Sequence, residues 1–271
     1  MRHRARTILL AAGLALITTS LAAHELFLKL ATYFLPPDTE VRALLLNGTF
    51  TTSENSVSRD RFADLALAGP QGRTSLDTTG VSPQGDSTLV RFRTGGPGTY
   101  VLGLSVRPRE IALTGEQFNG YLREEGLDEV LAERTRTGTL GEPARERYAK
   151  HVKAIFQVGD GRSEQYAAGL GYPAEIVPME NPYGLRPGDG LRVRCLIRGQ
   201  PAGGLVVLAG GTSESGSPIR EVRARTDSAG IATVPLGTAG RWYVKFISMR
   251  RSTEPGLTHE SQWATLTFQI R

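Results

Sequence analysis

The residues best placed to do chemistry stand together near the start of the chain, in Leu21-Ala22-Ala23-His24-Glu25-Leu26-Phe27-Leu28-Lys29-Leu30. If an exported chain is cut after Ala22, His24 becomes its second residue. Its imidazole, the intervening backbone amide and the new terminal amine can then wrap a square-planar Ni(II) or Cu(II). If the cut falls after Ala23, His24 becomes the first residue, and amine and imidazole form a bidentate brace. Both arrangements are nitrogen-rich and tetragonal, which suits Cu(II) or Ni(II) better than zinc. The small Ser20 at the −3 position favours the cut after Ala22.

A tighter site needs another ligand, and downstream of His24 only His151 and His259 are histidines. His151 lies three residues from Tyr148, on a stretch that reads as helical. His259 falls in the polar run Arg250-Arg-Ser-Thr-Glu-Pro-Gly-Leu-Thr-His-Glu260, which reads as a loop. Neither has HxxxH, HxH or CxxC spacing, and a lone histidine in a loop reads first as solvent-exposed or hydrogen-bonded. Glu25 and Glu260 are possible oxygen ligands, although each reads first as a solvated charge. The single Cys195 lies in Leu191-Arg-Val-Arg-Cys-Leu-Ile, where alternation makes it an inward-facing core residue and excludes an intrachain disulfide. No catalytic constellation is visible. Ser213-Glu-Ser-Gly is not a nucleophile elbow, and Gly203-Gly204 and Gly210-Gly211 lack the strand-to-helix context of a nucleotide fingerprint. The expectation is a metal-binding protein that is not an enzyme. The alternatives are a protein- or carbohydrate-binding β-sandwich with no metal, and a histidine-brace copper enzyme, which would need a second histidine near His24.

What precedes His24 has the pattern of a signal peptide over residues 1–23. Arg2, Arg4 and Arg6 form a positive start, Ile8 to Ile17 an apolar run, and Thr18-Thr19-Ser20-Leu21-Ala22-Ala23 a small-residue cleavage region. An apolar run of about 10 residues is too short to span a bilayer, which takes roughly 20. The mature protein is therefore expected in the periplasm or outside the cell, and not membrane-spanning itself. Removing three arginines and no acid lowers the formal charge from +5 to +2. With no dense basic patch interleaved with aromatics, nucleic-acid binding is not expected.

The elements that must position these residues read as strands. Glu25 to Tyr33 carries Leu26, Leu28 and Leu30 on one side of an alternating pattern. Glu40–Asn47, Phe62–Ala68, Thr88–Thr94 and Thr99–Val106 follow, punctuated by Gly and Pro. Thr114-Gly-Glu-Gln117 has capping-box spacing, and Phe118, Tyr121 and Leu122 continue at helical spacing. Glu142-Pro143 starts a further expected helix through Tyr148, Val152 and Ile155. Residues 24–165 thus read as one antiparallel β-sandwich with a helical insertion at about 114–153. Residues 172–271, with strands at Leu191–Ile197, Gly204–Ala209, Ile219–Thr226, Ile231–Val234, Gly240–Met249 and Gln262–Ile270, read as a second. The fold class is mostly β, with two antiparallel sandwich domains.

Several pieces taken together resemble a known family. They are Ala23-His24-Glu25-Leu26-Phe27-Leu28 after a signal, Glu146-Arg-Tyr-Ala-Lys150 with Lys153 and Val158-Gly159, and Glu175-Ile-Val-Pro-Met-Glu-Asn-Pro-Tyr183 with Leu185-Arg-Pro-Gly-Asp189. Thr226-Asp-Ser-Ala-Gly230, Gly240-Arg-Trp-Tyr-Val244 and Trp263-Ala-Thr-Leu-Thr-Phe268 complete the set. The resemblance is to a bacterial periplasmic family of unknown function related to NikM, a component of nickel and cobalt uptake. It implies export, an Ig/transthyretin-like C-terminal sandwich, a divalent transition metal (Ni, Co or Cu) and a membrane metal-uptake complex as partner. One departure stands out. The family pattern has a histidine in the strand after Trp242-Tyr243-Val244, where this chain has Phe246-Ile247-Ser248-Met249.

Overall fold

The computed structural model describes residues 25–271. The expected signal segment at 1–23 and the expected metal ligand His24 lie outside the described residues. The described residues begin with β1 (Glu25–Leu30), β2 (Phe34–Leu35), β3 (Glu40–Gly48), β4 (Phe62–Gly69), β5 (Gly72–Ser75), β6 (Val81–Gln84), β7 (Ser87–Arg93), β8 (Gly98–Val106) and β9 (Arg109–Leu113). Two helices follow, α1 (Gly115–Glu124) and α2 (Asp128–Arg136). The chain then continues through β10 (Ala144–Val158), β11 (Ala174–Pro178), β12 (Gly190–Ile197), β13 (Gln200–Pro201), β14 (Val206–Ser213), β15 (Pro218–Arg225), β16 (Ile231–Pro235), β17 (Gly240–Arg251) and β18 (His259–Ile270).

These strands form a mostly β, sandwich-type fold. A central sheet runs β15-β14-β17-β18-β10-β8-β4-β5, with β2 and β9 also paired to β10. The sheet β1-β3-β7-β6 and the sheet β11-β12-β13, with β16 on β12, accompany it. Pairing is antiparallel except where β10 meets β18 and β2. Through the β10–β18 pair, the stretches 24–165 and 172–271 share the central sheet. One apolar core draws Leu28, Leu45, Leu104 and Phe156 from the first and Leu191, Trp242 and Phe268 from the second.

The expected helix from Glu142 is instead the 15-residue strand β10. Tyr148, Val152 and Ile155 do fall at helical spacing. From Ala149 to Val158, however, every residue is buried, because β10 lies mid-sheet with both faces covered. A strand covered on both sides shows no polar/apolar alternation, and the charged Glu146, Lys150 and Lys153 imitate the polar side of a helix. The helical part of the insertion is therefore α1 and α2 alone.

The capping box at Thr114 is present, with Thr114 accepting from Gln117 N and Gln117 reaching back to Thr114 N. At the other end of α1, Gly126 adopts φ +70°. Gly126 N donates to Arg123 O and Leu127 N to Leu122 O, the paired bonds that close a helix on a left-handed glycine. This stop leaves Glu125 at the end of α1, turned toward β17. Strand β1 behaves as its alternation predicts on one side, since Leu26, Leu28 and Leu30 enter the main core. Its other side is also covered, with Phe27 edge-on to Phe50 and Tyr243 at 5.4 and 5.3 Å. Cys195 is free, points inward from β12 and is fully buried.

Candidate functional site

Two small apolar clusters share the face of the central sheet that β1 crosses. One is Phe27, Leu46 and Phe50 with Tyr243 against it, and the other is Phe118, Tyr121, Leu122, Ile247 and Trp263 under α1. Lys245 stands on β17 between Tyr243 and Ile247, in the seam where the clusters meet. Its ammonium donates to the Glu25 carboxylate and, at 3.0 Å, to Glu125 at the end of α1, with Glu221 at 3.8 Å. Glu25 is only 8% exposed. One of its oxygens takes the Lys245 bond, while Oε2 is buried with no hydrogen-bond partner among the described residues. On β10, Glu146 accepts from Tyr121 Oη at 3.3 Å and from Ser261 Oγ, which in turn accepts from Trp263 Nε1. Lys150 is 7% exposed. Its Nζ sits 4.5 Å from the Trp263 ring centre and 5.3 Å from that of Tyr148. It makes no hydrogen bond among the described residues.

Burial sets the electrostatics of this seam. It pushes the Glu25 carboxyl up to about 7 against the pull of Lys245, with Glu125 adding to the rise. It draws the Lys150 ammonium down to about 8, against Glu25, Glu125 and Glu146. For Lys245 burial is outweighed by Glu25 and Glu125, so it stays protonated above its ordinary range. The expectation that Glu25 is a solvated charge is thus corrected, because β1 lies across the sheet under full cover. Glu260 is half-buried and bonds the exposed Arg250 and Ser252, which makes it a surface pair.

The two histidines after His24 occupy other places. His151 is on β10, not on a helix. Its Nδ1 is 2.9 Å from Ser105 Oγ and its Nε2 2.9 Å from Gln262 Oε1. His259 opens β18 and is not in an exposed loop. It is buried because α1 covers it, with the Phe118 ring at 4.8 Å and Thr258 Oγ1 2.9 Å from Nδ1. Burial lowers both imidazoles below the ordinary range, His259 to about 4. In the parallel register His151 pairs with Ala264 and Glu146 with His259. The imidazoles are therefore five register positions apart, roughly 16 Å along the strands, and alternation puts them on opposite faces. They cannot share one ion. Among the described residues, no group of three His, Cys, Asp or Glu side chains is arranged to hold a metal.

Lys150, Lys245, Glu125 and Glu146 were not among the expected site residues. A signal for two of them was present. Glu146-Arg-Tyr-Ala-Lys150 places charges four apart just ahead of an apolar stretch, so on a strand both face the same way. Lys245 and Glu125 give no local signal, since they are distant in sequence and meet only through the fold.

A family model described as "Domain of unknown function (DUF4198)" matches residues 21–250. No curated protein matches the chain. Among solved structures, a tetra-tandem repeat in the extending region of a large adhesion protein is 11% identical over 91% of this chain and 49% of that one, with a TM-score of 0.23. Trypsin-activated alpha-2-macroglobulin from Escherichia coli is 12% identical over 92% of this chain and 16% of that one, with a TM-score of 0.21. The chain thus spans less than half of either structure, and at these scores neither likeness supports a conclusion about fold or function.

Proposed function

Because the chain belongs to the DUF4198 family, whose function is unknown, we propose one from its own residues. The protein is exported, and it binds one divalent transition metal (Ni, Co or Cu) through the terminal amine and imidazole at His24. In this reading it hands the metal to, or works beside, a membrane uptake complex of the kind that contains NikM, and it carries out no turnover.

The observation that supports this reading is the buried oxygen of Glu25 that has no partner among the described residues, one residue from His24. A buried acceptor with no partner costs about 1–3 kcal/mol, and a metal held by His24 would give it one. A carboxylate oxygen beside amine and imidazole nitrogens is a donor set suited to Ni(II) or Cu(II). Lys245 holds the other oxygen and so orients the carboxylate. His151 and His259 would not be ligands in this site, because each is buried with a partner of its own. The same fact weakens the copper-brace reading, which needs a second imidazole.

The test is calorimetric titration of the exported protein with Ni(II), Co(II) and Cu(II), after intact mass has fixed its amino terminus. One equivalent should bind with sub-micromolar affinity. His24→Ala, or one extra residue ahead of the terminus, should abolish binding, and Glu25→Gln should weaken it roughly tenfold. If His24→Ala binds as well as the parent, the metal reading fails and a protein- or carbohydrate-binding sandwich takes its place.

A further inference from the structure

We propose that the recess beside Lys150 binds a small organic carboxylate, held by the Lys150 ammonium at its base and by Arg61 and Arg109 at its mouth. The recess has a volume of about 140 Å³. On the same measure a single water needs about 10–15 Å³, so the space exceeds a hydration site. Its lining includes Lys150, Arg61 and Arg109 but no acidic side chain among the described residues.

Three observations carry the proposal. The first is that Lys150 is more than nine-tenths buried, yet its Nζ lies against the faces of Tyr148 and Trp263 and makes no hydrogen bond among the described residues. Glu25 and Glu125 bond Lys245 and Glu146 accepts from Tyr121 and Ser261; Glu25 Oε2 keeps no partner, yet no carboxylate pairs with Lys150 among the described residues. A desolvated ammonium with no acceptor is expensive to keep, and an anion in the recess would supply one. The second is that Arg61 repeats the pattern. It donates through Nη2 to Arg107 O at 2.7 Å, while its Nε is buried without a partner among the described residues. Two cationic side chains with unused donors therefore line one space. The third is the character of the walls. Leu26, Val57, Val106 and the Tyr148 ring make one apolar side, while Ser56, Ser58 and the pair Asn47 and Asn55, bonded to each other at 2.7 Å, make a polar one. A carboxylate carrying a short hydrocarbon tail can set its charge against the cations and its tail against the apolar side, whereas a bare tetrahedral dianion leaves that side unused. At neutral pH Lys150 is still mostly protonated, because burial lowers it only to about 8.

The proposal does not depend on metal binding, and it is tested on the metal-free mature protein. Acetate, butyrate, phosphate and sulfate are titrated at constant ionic strength, with binding read by calorimetry and by thermal shift. Butyrate should saturate one site and bind more tightly than phosphate or sulfate. Lys150→Met should weaken butyrate at least tenfold. Asn55→Asp should do the same by placing a carboxylate at an exposed position of the recess, and it decides the matter if Lys150→Met does not fold. Arg186→Gln, which lines a different recess, should leave binding unchanged. The proposal is overturned if butyrate shows no saturable binding, or if a folded Lys150→Met or Asn55→Asp protein binds it as the parent does. Phosphate or sulfate binding as tightly as butyrate overturns the carboxylate assignment.

Discussion

Strand β10 carries buried charge on both of its faces, and the two faces treat it differently. On one face Lys153 pairs with Glu175 at 2.9 Å, and both side chains are only 4% exposed. The Glu175 carboxylate also accepts from Leu170 N, Gly171 N and Tyr172 N, so both of its oxygens are satisfied. On the other face, three positions up the strand, Lys150 has no acceptor among the described residues, and Glu25 has one oxygen bonded and one without a partner there. Buried polar groups are nearly always paired, so unpaired ones call for a reason. The Lys153–Glu175 pair ties the segment at 170–172 to the central sheet and has no capacity left for a ligand. The Glu25–Lys150 seam has unused capacity on both an anion and a cation. Burial alone therefore does not mark a site; incomplete satisfaction next to open space does.

The largest effect that would break this comparison is on the satisfied side. Glu175→Ala removes four hydrogen bonds and strands Lys153 in the interior. It should cost about 3–5 kcal/mol of folding stability, read from chemical denaturation. A loss under about 1 kcal/mol would show that the pair is not the anchor its geometry suggests.

The next effect is a difference in the sign of the pH dependence. Burial would raise Glu175, but Lys153 and the backbone N–H groups outweigh it and hold the carboxyl below the ordinary range. Its contribution is present above the unfolded value of about 4.5 and is lost as pH falls through the folded value. Glu25 is raised to about 7, so its contribution has the opposite sense. It is fully present below about 4.5 and is lost as pH climbs through 7. Glu25→Gln should therefore gain stability relative to the parent between pH 4.5 and 8, by up to about 3 kcal/mol. Parallel pH profiles for the two proteins would mean that Glu25 is ionised throughout and that the seam is better paired than its geometry shows.

Much of the fold was legible in the sequence, because most strands obey a rule that needs only neighbours. The period of two in Glu40–Asn47, in Leu191–Ile197 and around Cys195, and the capping box at Thr114, all report local geometry. Strand β10 was not legible, because a strand covered on both faces loses its period, and its buried charges imitate a helix. The site was half legible for a related reason. His24 and Glu25 stand out by position alone. Lys245 is 220 residues from Glu25 and Glu125 is 120 from Lys245, and no sequence window holds all three. His259 was misread because nothing in its own polar run foretells that α1 folds over it.

The smallest expected effect sharpens the comparison most. Lys150→Met replaces a long, buried, unbonded cation by an apolar chain of similar reach, between the rings of Tyr148 and Trp263. A buried ion that has no hydrogen-bonded partner contributes little, and an apolar replacement of similar volume is often neutral or stabilising. The change in unfolding free energy should stay within about 1 kcal/mol, even though Lys150 is nearly as buried as Lys153. Lys153→Met, by contrast, leaves the Glu175 carboxylate without its cation and should fall in the same destabilising range as Glu175→Ala. If Lys150→Met proves as damaging as Lys153→Met, Lys150 is a structural cation and the recess beside it needs no ligand to explain it. If the two lysines separate as expected, a position that contributes nothing to the fold yet carries a buried charge is kept for something that binds there.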